Sequence, residues 1–406
     1  MNQTLLQTYI RKAETELREN ILPFWIEHTV DKERGGFYGE ISNTLEVQKE
    51  APRGALLTSR ILWTYAAAYK RYQAQEYLEM ARWAYDDLLS RFWDEMHGGL
   101  YWMVGADGEL LRPRKQIYGQ AFGIYALAEY YSATGEQSAL DKAIAIFNLM
   151  EKHSHDPEHG GYFEAYTRDW HLESDLRLSE IDMNEMKSMN THLHVMEGYT
   201  NLLRVWDNEE LRARQAENVD IMMHRVVSPT TFHTLLFFDE AWNSRVDHIS
   251  YGHDIETNWL LVESAEVLGD ERCITEAKAL AVNIAQATYD EGLNGEGGLV
   301  NDGDASGITD PDFEWWPQAE AAVGFLNAYQ LSRQAHFLQA ALRSWDFIET
   351  YFIDRQHGEW FRHVTKDHVV DHTAAKVSFW KCPYHNSRAC MELIDRLGKI
   401  VEGSGL

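Results

Sequence analysis

The chain has 406 residues, and 45% of them are hydrophobic, which is enough apolar material for a substantial core. Its formal net charge at pH 7 is -27. Because so acidic a surface repels phosphate groups, the charge argues against DNA, RNA and anionic membranes as partners and favours a neutral or cationic small ligand.

The cysteines and the N-terminal segment both indicate the cytoplasm. The three cysteines are an odd number without the spacing of a zinc site, so we expect reduced thiols at Cys273, Cys382 and Cys390. Residues 1–18 are polar and amphipathic and lack the apolar core of a signal peptide. We therefore expect a cytoplasmic protein without a membrane-spanning segment.

A glycine-aromatic motif of the kind Asp-Glu-Met-His-Gly-Gly-Leu-Tyr recurs along the chain. Clear copies occupy residues 31–38, 94–101, 156–163 and 354–361, and degenerate copies occupy 231–238 and 294–300. Counted between Gly36, Gly99, Gly161, His233, Gly298 and Gly358, the copies are 63, 62, 72, 65 and 60 residues apart. This spacing indicates a six-fold repeat over the whole chain.

Each motif predicts a short strand or hairpin, and two helical stretches follow it. The first stretch of a pair is apolar on more than one face, as in residues 60–69, 120–127 and 321–329, and predicts a buried inner helix. The second has a narrower apolar stripe and many charges, as in residues 76–92 and 271–289, and predicts an outer helix.

Six such pairs predict an all-α fold, an (α/α)6 barrel of six inner and six outer helices with short strands in the loops, as one domain over residues 1–406. An open solenoid is the alternative, but a solenoid repeats its surface chemistry more evenly than these copies do.

In a closed barrel, the first turns of the inner helices face one end of a central cavity, and unusual polar and aromatic residues concentrate there. They are Arg60, Tyr118, Asn190, His192, His194, His253, Glu256, Trp315, Trp316, Glu320, Trp380 and His385. His253 and Glu256 are three residues apart and share a helix face, as an acid/base pair would. His192 and His194 cannot both face the cavity, and we expect His194 to do so.

Two other chemistries compete with acid/base catalysis by histidine. Zinc or manganese could bind His194, His253, Glu256 and His385, but no local pair of ligands anchors such a site, and we expect no metal. A glycoside hydrolase needs two carboxylates flanking a bond, and Asp182, Asp254, Glu256 and Glu320 are candidates. The glycoside hydrolase interpretation assigns no catalytic role to the three site histidines.

Four motifs carry a resemblance to a known family: Asn-Thr-His-Leu-His, Gly-His-Asp-Ile-Glu, Trp-Trp-Pro-Gln-Ala-Glu and Trp-Lys-Cys-Pro-Tyr-His-Asn. Together they resemble the cellobiose 2-epimerases, within the wider N-acylglucosamine 2-epimerase group, from about Pro52 to Asn386. The resemblance implies an (α/α)6 barrel, in agreement with the repeat count. It also implies an enzyme that needs no cofactor and takes a sugar, here a disaccharide, as its partner.

The resemblance further implies a role for each matching residue. His253 and His385 would be the acid/base pair, and His194 would help to stabilise the intermediate. The residues implied to hold the reducing-end sugar are Arg60, Tyr118, Asn190, Glu256 and Glu320. Trp316 and Trp380 would stack on sugar rings, and Asp182, in the acidic segment 173–187, would be a further contact.

The implied reaction inverts C2 of the reducing-end glucose in β-1,4-linked disaccharides such as cellobiose and lactose, through ring opening and an enediolate. An aldose-ketose isomerase or an N-acylglucosamine or mannose 2-epimerase of the same fold is the alternative, followed by a glycoside hydrolase. The sequence leaves the oligomeric state open.

Overall fold

The computed structural model describes residues 3–403. Numbered along the chain, its helices are α1 (Gln3–Thr15), α2 (Leu22–His28), α3 (Ala55–Tyr72), α4 (Gln75–Asp87), α5 (Ile117–Thr134), α6 (Gln137–His153), α7 (Met189–Leu203), α8 (Glu209–Ile221), α9 (Tyr251–Leu268), α10 (Glu271–Glu291), α11 (Trp315–Ser332), α12 (Ala335–Phe347) and α13 (Tyr384–Val401). A π-helical turn, Glu16–Ile21, joins α1 to α2, and similar turns extend α4, α8 and α12. No helix within this range combines the length and apolar character needed to cross a bilayer.

The helices form two layers, and burial distinguishes them. In α5, 14 of 18 residues are buried, because apolar and small side chains surround the whole helix. In α10 only five of 21 are buried, along one stripe. The inner layer consists of α3, α5, α7, α9, α11 and α13, and the outer layer of α1 with α2, α4, α6, α8, α10 and α12. The predicted (α/α)6 barrel is confirmed.

The ring closes between the two ends of the chain. Each inner helix packs against the next, and α13 packs against both α11 and α3. The last glycine motif is followed by a single helix, α13, and its outer partner is α1 from the start of the chain. The Gln3 side chain donates a hydrogen bond to the carbonyl of Val401 at 3.3 Å.

Within residues 3–403, twelve short strands pair antiparallel in the segments between the helices. They are β1 (Arg53–Gly54), β2 (Met103–Val104), β3 (Leu110–Arg112), β4 (Lys115–Gln116), β5 (Ala165–Tyr166), β6 (Lys187–Ser188), β7 (Phe237–Phe238), β8 (Ile249–Ser250), β9 (Asp302–Asp304), β10 (Gly307–Asp310), β11 (Phe313–Glu314) and β12 (His363–Val364). Strands β1–β2–β3 and β8–β9–β10 form three-stranded sheets, and β4–β5, β6–β7 and β11–β12 form pairs. A strand before one inner helix thus pairs with the strand that follows the motif of the next repeat, as Arg53 does with Val104.

The aspartate that opens each clear motif explains why the motif recurs. Asp94 Oδ1 accepts the backbone N–H groups of Met96 and His97 at 3.1 and 3.3 Å, which shapes the turn. Its Oδ2 accepts a hydrogen bond from Lys115 at 3.0 Å, where both side chains are fully buried. The same pairing joins Asp31 to Arg53, Asp156 to Lys187 and Asp354 to Lys376. Each pair ties a motif to the segment that precedes an inner helix.

The two degenerate motifs keep the turn with different residues. Ser228 Oγ accepts the N–H of Thr231 at 3.2 Å, so the fourth copy begins three residues before the predicted start at 231. Asn294 Oδ1 accepts the N–H of Glu296 at 3.0 Å in the fifth copy. Gly160 and Gly161 have φ values of 73° and 78° in the third copy, a conformation that favours glycine. In the fourth copy Phe232 adopts φ 63° instead. The six-fold repeat therefore includes both degenerate copies.

Candidate active site

A cavity of about 710 Å³ opens where the first turns of the inner helices meet the hairpins. Ten of the eleven residues predicted for the site line it: Arg60, Tyr118, Asp182, Asn190, His194, His253, Glu256, Trp316, Trp380 and His385. The eleventh, Glu320, lies behind His385. Hairpin residues, including Glu164 and Asn301, complete the wall.

The register of the inner helices explains why these side chains meet. The second residue of the helix is Tyr118 in α5, Asn190 in α7, Trp316 in α11 and His385 in α13. The sixth residue is Arg60 in α3, His194 in α7, Glu256 in α9 and Glu320 in α11. Positions four apart share one helix face, so both sets point toward the barrel axis.

The fourth residue of the helix points away from the axis and holds a hairpin. Gln120 accepts the N–H of Leu100 and donates to its carbonyl, both at 2.8 Å, and Gln318 does the same for Leu299. His192 Nε2 accepts the N–H of Tyr162 at 2.9 Å, so His192 has the core role expected for it.

Asp254 is the fourth residue of α9 and also supports a hairpin. Its Oδ1 accepts the N–H and the hydroxyl of Thr234, each at 2.7 Å, and its Oδ2 pairs with His233 Nδ1 at 2.7 Å. The side chain is fully buried and does not line the cavity. Asp254 is thereby excluded from the candidates for a glycosidase carboxylate.

His385 is held by Glu320. Its Nδ1 lies 2.7 Å from Glu320 Oε1, and Trp259 Nε1 donates to the other carboxylate oxygen at 2.9 Å. Because an ionised carboxylate only accepts, Nδ1 carries the proton and Nε2 is left with its lone pair. Glu320 therefore orients a histidine from behind, which differs from the sugar contact implied by the family resemblance.

His194 has a carboxylate partner of its own, on the same helix. Its Nδ1 lies 2.8 Å from Glu197 Oε2, three residues along α7. Nearby, Arg60 donates from Nη2 to the hydroxyl of Tyr118 at 2.7 Å. These contacts place a guanidinium and a second oriented imidazole beside each other on the cavity wall.

His253 is held differently from the expected pairing with Glu256. Its Nδ1 lies 2.9 Å from the hydroxyl of Ser250, and its ring packs against Trp316 with the centroids 4.7 Å apart. Glu256 Oε1 accepts a hydrogen bond from Arg388 at 2.7 Å instead. His253 and Glu256 both reach the cavity because they share a helix face, but the Glu256 carboxylate pairs with the charged guanidinium of Arg388 and not with the neutral imidazole.

Arg388 joins the carboxylates of this region, and the sequence did not predict it as a site residue. Its guanidinium binds Glu197, Glu256 and Glu320, at 2.7 Å for Glu256 and 2.6 Å for Glu320, and it also contacts the Tyr384 hydroxyl. All of these side chains are buried. Arg388 follows His385 by three residues on α13, so the helical spacing in the Tyr-His-Asn-Ser-Arg stretch was a usable signal.

Burial and this network determine the protonation of the site. Burial lowers the pKa of His253 to about 3, and the neighbouring His194 and His385 act in the same direction. Burial also lowers the pKa of His385 to about 3, against the hydrogen bond that His385 donates to Glu320. Burial raises the pKa of Glu256, with repulsion from Glu320 adding to it. His253 and His385 are thus neutral proton acceptors at pH 7, and the protonated form of Glu256 is favoured more than in a free carboxyl group.

Glu320 stays ionised in the same surroundings. Burial raises its pKa, but the charge of Arg388 and the hydrogen bond with His385 outweigh burial and lower the pKa overall. Glu320 therefore keeps the negative charge that stabilises a protonated His385.

Comparison with known proteins agrees with this arrangement. The sequence profile of the N-acylglucosamine 2-epimerase (GlcNAc 2-epimerase) family matches residues 36–389. A cellobiose 2-epimerase of Bacteroides fragilis is 44% identical over 385 residues, which cover 95% of this chain and 98% of the relative. The chain belongs to the N-acylglucosamine 2-epimerase family.

Further relatives extend the match to solved structures. A cellobiose 2-epimerase of Ruminococcus albus is 41% identical, over 95% of this chain and 98% of its own. The structure of a cellobiose 2-epimerase from Bacillus thermoamylovorans B4167 superposes with a TM-score of 0.91 at 39% identity, over 96% of this chain and 100% of that one. This member of the epimerase family is an enzyme of the isomerase class.

One cluster of side chains has the composition of a metal site, but an arginine already lies within it. Glu256, Glu320 and His385 each offer a ligand atom within 4.8 Å of the others. Arg388 Nη2 donates to both carboxylates of this group. The guanidinium supplies the positive charge that a metal would otherwise bring, so these residues fit an arginine-centred network better than a metal site.

The segment 174–186 forms part of the cavity rim. Asp182 Oδ2 accepts the N–H and the hydroxyl of Ser179 at 2.7 and 2.9 Å, while Ile181 beside it is 95% exposed. Burial raises the pKa of Asp182 above its usual value. Trp380 lies in the wall near Tyr118, with the ring centroids 6.1 Å apart. An acidic and an aromatic side chain are thus both among the lining residues of the cavity.

A buried glutamate in the third hairpin was also missed. Glu164 accepts hydrogen bonds from the N–H of Ser188 at 2.7 Å and from the hydroxyl of Thr191 at 2.5 Å. Burial raises its pKa to about 8, against these hydrogen bonds. Its position, three residues after Gly161, corresponds to Asn301 three residues after Gly298, and this offset within the repeat could have identified it.

Proposed function

We propose that this enzyme inverts C2 of the reducing-end glucose in β-1,4-linked disaccharides, converting cellobiose to glucosyl-mannose and lactose to epilactose. The reaction moves a proton and leaves the oxidation state of the sugar unchanged, so it needs no redox cofactor. His253 and His385 act as the acid/base pair. The fully covered relatives named cellobiose 2-epimerase support the choice of substrate.

One observation carries the proposal: two imidazoles from different helices line the same cavity. The ring centroids of His253 and His385 lie 4.7 and 5.6 Å from that of Trp316. Each histidine has its Nδ1 engaged, by Ser250 or by Glu320, so Nε2 is the nitrogen available to a ligand. Epimerisation returns a proton to the opposite face of C2, and two separate bases divide that task.

The sugar ring first opens, and the aldehyde acidifies the C2 proton. One histidine removes that proton from its face of C2, and the electrons move onto O1 to form an enediolate. The other histidine delivers a proton to the opposite face. The charge on the enediolate oxygen is offset by Arg60, and by His194 when its Nε2 also carries a proton, since Glu197 holds Nδ1.

The remaining wall residues hold the substrate. Tyr118, Asn190 and Glu256 meet the reducing-end sugar in the inner part of the cavity. Asp182 and Trp380 meet the outer part, where the indole offers a face for the second sugar ring. Glu320 acts through His385. A cavity of about 710 Å³ is within the usual range for ligand sites.

Glycoside hydrolysis is less compatible with these contacts. Of the four carboxylates considered, Asp254 holds a hairpin, while Glu256 and Glu320 share one guanidinium. Asp182, at the rim, is then the only one of the four left, and a glycosidase needs a second carboxylate opposite it. A ketose-forming isomerase uses the same enediolate and differs only in returning the proton to C1.

Product analysis separates these reactions. The protein is incubated in D₂O with cellobiose, lactose, mannose or N-acetylglucosamine, and the products are resolved by chromatography and NMR. We expect the mannose-ended disaccharides, with deuterium at C2. Accumulation of the ketose as the main product, release of monosaccharides, or reaction with N-acetylglucosamine alone would each contradict the proposal.

A further inference from the structure

Ser250 occupies the residue before α9, where a serine normally caps a helix, but its hydroxyl does not cap. At the corresponding positions the side chains of Ser188, Asn208 and Asp270 accept the backbone N–H three residues on, at 3.1, 3.0 and 2.8 Å. Ser250 has an extended backbone, as those residues do, yet its side chain makes no such bond. α9 thus forgoes a stabilising contact that α7, α8 and α10 keep.

The hydroxyl of Ser250 instead meets a catalytic side chain. Its Oγ lies 2.9 Å from Nδ1 of His253, which is the third residue of α9. On its other side the imidazole packs against Trp316. A Cβ on Gly252 would lie 2.6 Å from that indole, so glycine at this position lets Trp316 come close. The ring of His253 is therefore fixed by a hydroxyl at one nitrogen and by an aromatic face.

The proton positions of the reaction determine which way this hydrogen bond runs. As a base, His253 needs its lone pair on Nε2, so Nδ1 carries the hydrogen. As an acid, the imidazolium carries a hydrogen on both nitrogens. In both states Nδ1–H donates and Ser250 Oγ accepts, so one contact supports the whole cycle.

We propose that Ser250 is a positioning residue that gives up helix capping in order to hold His253 as the Nδ1–H tautomer with Nε2 toward the substrate. This inference rests on the proposed two-histidine epimerisation and deepens it. His385 is held by a carboxylate and His253 by a hydroxyl, so the two halves of the reaction depend on different residues. Loss of the Ser250 hydroxyl impairs only the half that His253 performs.

Ser250→Ala tests the inference, with Ser250→Thr as the variant that restores the acceptor. We expect Ser250→Ala to lower kcat by about 10- to 100-fold, by analogy with the loss on removing the hydrogen-bond partner of a metal-binding histidine, with little change in KM. Ser250→Thr should recover a large part of that loss. Asp270→Ala removes a true cap, so it should lower the melting temperature of the protein and leave kcat as it is.

Deuterium exchange distinguishes positioning from general damage. Each C2 epimer is incubated in D₂O, and wash-in at C2 of the recovered substrate is followed by NMR. In Ser250→Ala, the epimer whose C2 proton faces His385 keeps its exchange, whereas the epimer that faces His253 loses it. An equal loss for both epimers, or a kcat within about twofold of wild type, would overturn the inference.

A second measurement separates this inference from the proposed function. The ¹⁵N shifts of labelled histidine report the tautomer directly, and comparison with His253→Gln assigns the signal. We expect Nδ1–H for His253 in the wild type and a mixture of tautomers in Ser250→Ala. An unchanged tautomer overturns the role of Ser250 even if the enzyme epimerises disaccharides. Conversely, a wild-type enzyme that epimerises no disaccharide refutes the proposed function whatever the tautomer shows.

Discussion

Replacing Glu320 with glutamine tests how His385 is made into a base. Glu320 Oε1 accepts from His385 Nδ1 at 2.7 Å and from Arg388 Nη2 at 2.6 Å, and its side chain is 1% exposed. Glutamine has nearly the same shape but carries no charge. When His385 takes the C2 proton, the resulting imidazolium therefore loses the ionised partner that stabilises it.

The size of the effect follows from burial and from a compensating group. Removing one partner of a buried, hydrogen-bonded charge pair costs roughly 2–5 kcal/mol, which is about 30- to 5,000-fold in rate. Glu256 moderates the loss, because its Oε1 is 3.8 Å from His385 Nδ1 and the repulsion from Glu320 that raises its pKa disappears. We therefore expect kcat to fall by about 100-fold, toward the lower end of that range. KM should change little, because Glu320 does not line the cavity.

Steady-state kinetics on cellobiose measure kcat and KM, and thermal unfolding shows whether the variant is folded. Glu392→Gln is the matched control: it also lies on the barrel, but its carboxylate pairs with the partly buried Arg396 at 2.7 Å and does not line the cavity. Such a pair contributes little, so kcat of the control should stay within about twofold of wild type. A folded Glu320→Gln enzyme that keeps more than half of the wild-type kcat would refute the reasoning.

Three further predictions use other contacts. His253→Ala and His385→Ala should each lower kcat by roughly 100-fold or more, and near-wild-type turnover of cellobiose by either would show that the two-histidine assignment is wrong. Burial raises the pKa of Asp94, but the hydrogen bonds from Arg168 and Lys115 outweigh burial and lower it. A lowered carboxyl pKa stabilises the fold above the unfolded-state value and loses that effect as the pH falls. Asp94→Asn should therefore cost about 3–5 kcal/mol in urea unfolding at pH 7 and flatten the acid side of the stability curve below about pH 4; an unchanged curve would contradict this. Chelation with EDTA should leave the rate unchanged, and an inhibition that added zinc or manganese reverses would restore the metal hypothesis.

The barrel was predictable because the repeated residues each have a local structural role that requires a particular side chain. Asp94 shapes a turn with one oxygen and binds Lys115 with the other, and that double use requires an aspartate at a fixed distance from the glycines. The pattern survives where its residues change, since Ser228 and Asn294 still accept the turn N–H groups. Repetition thus revealed the fold even through the degenerate copies.

The hydrogen-bond partners of the site residues were less predictable, because a buried carboxylate pairs with the strongest donor nearby, whichever helix carries it. Spacing placed Glu256 on the face of His253, and both reached the cavity as expected. Arg388 arrives from α13, 132 residues after Glu256 in sequence, and its charge outweighs the local imidazole. Helical periodicity specifies which face a side chain occupies, whereas the strongest contact depends on helices that only the closed ring brings together.

His253 is the site histidine that departs from the register of the inner helices, and the departure has a physical reason. Four of the other site residues occupy the second helix position, and four occupy the sixth. In α9 the second position is Gly252, where a Cβ would collide with Trp316, and the histidine stands one residue later. The third position points obliquely to the axis, so its side chain needs a lateral contact to face the cavity. Ser250 provides that contact at Nδ1, and Trp316 fills the space that Gly252 leaves. Gly252, Ser250 and His253 therefore act together. They turn a second imidazole toward the substrate from the third position of α9, whereas the second position of this helix holds a glycine.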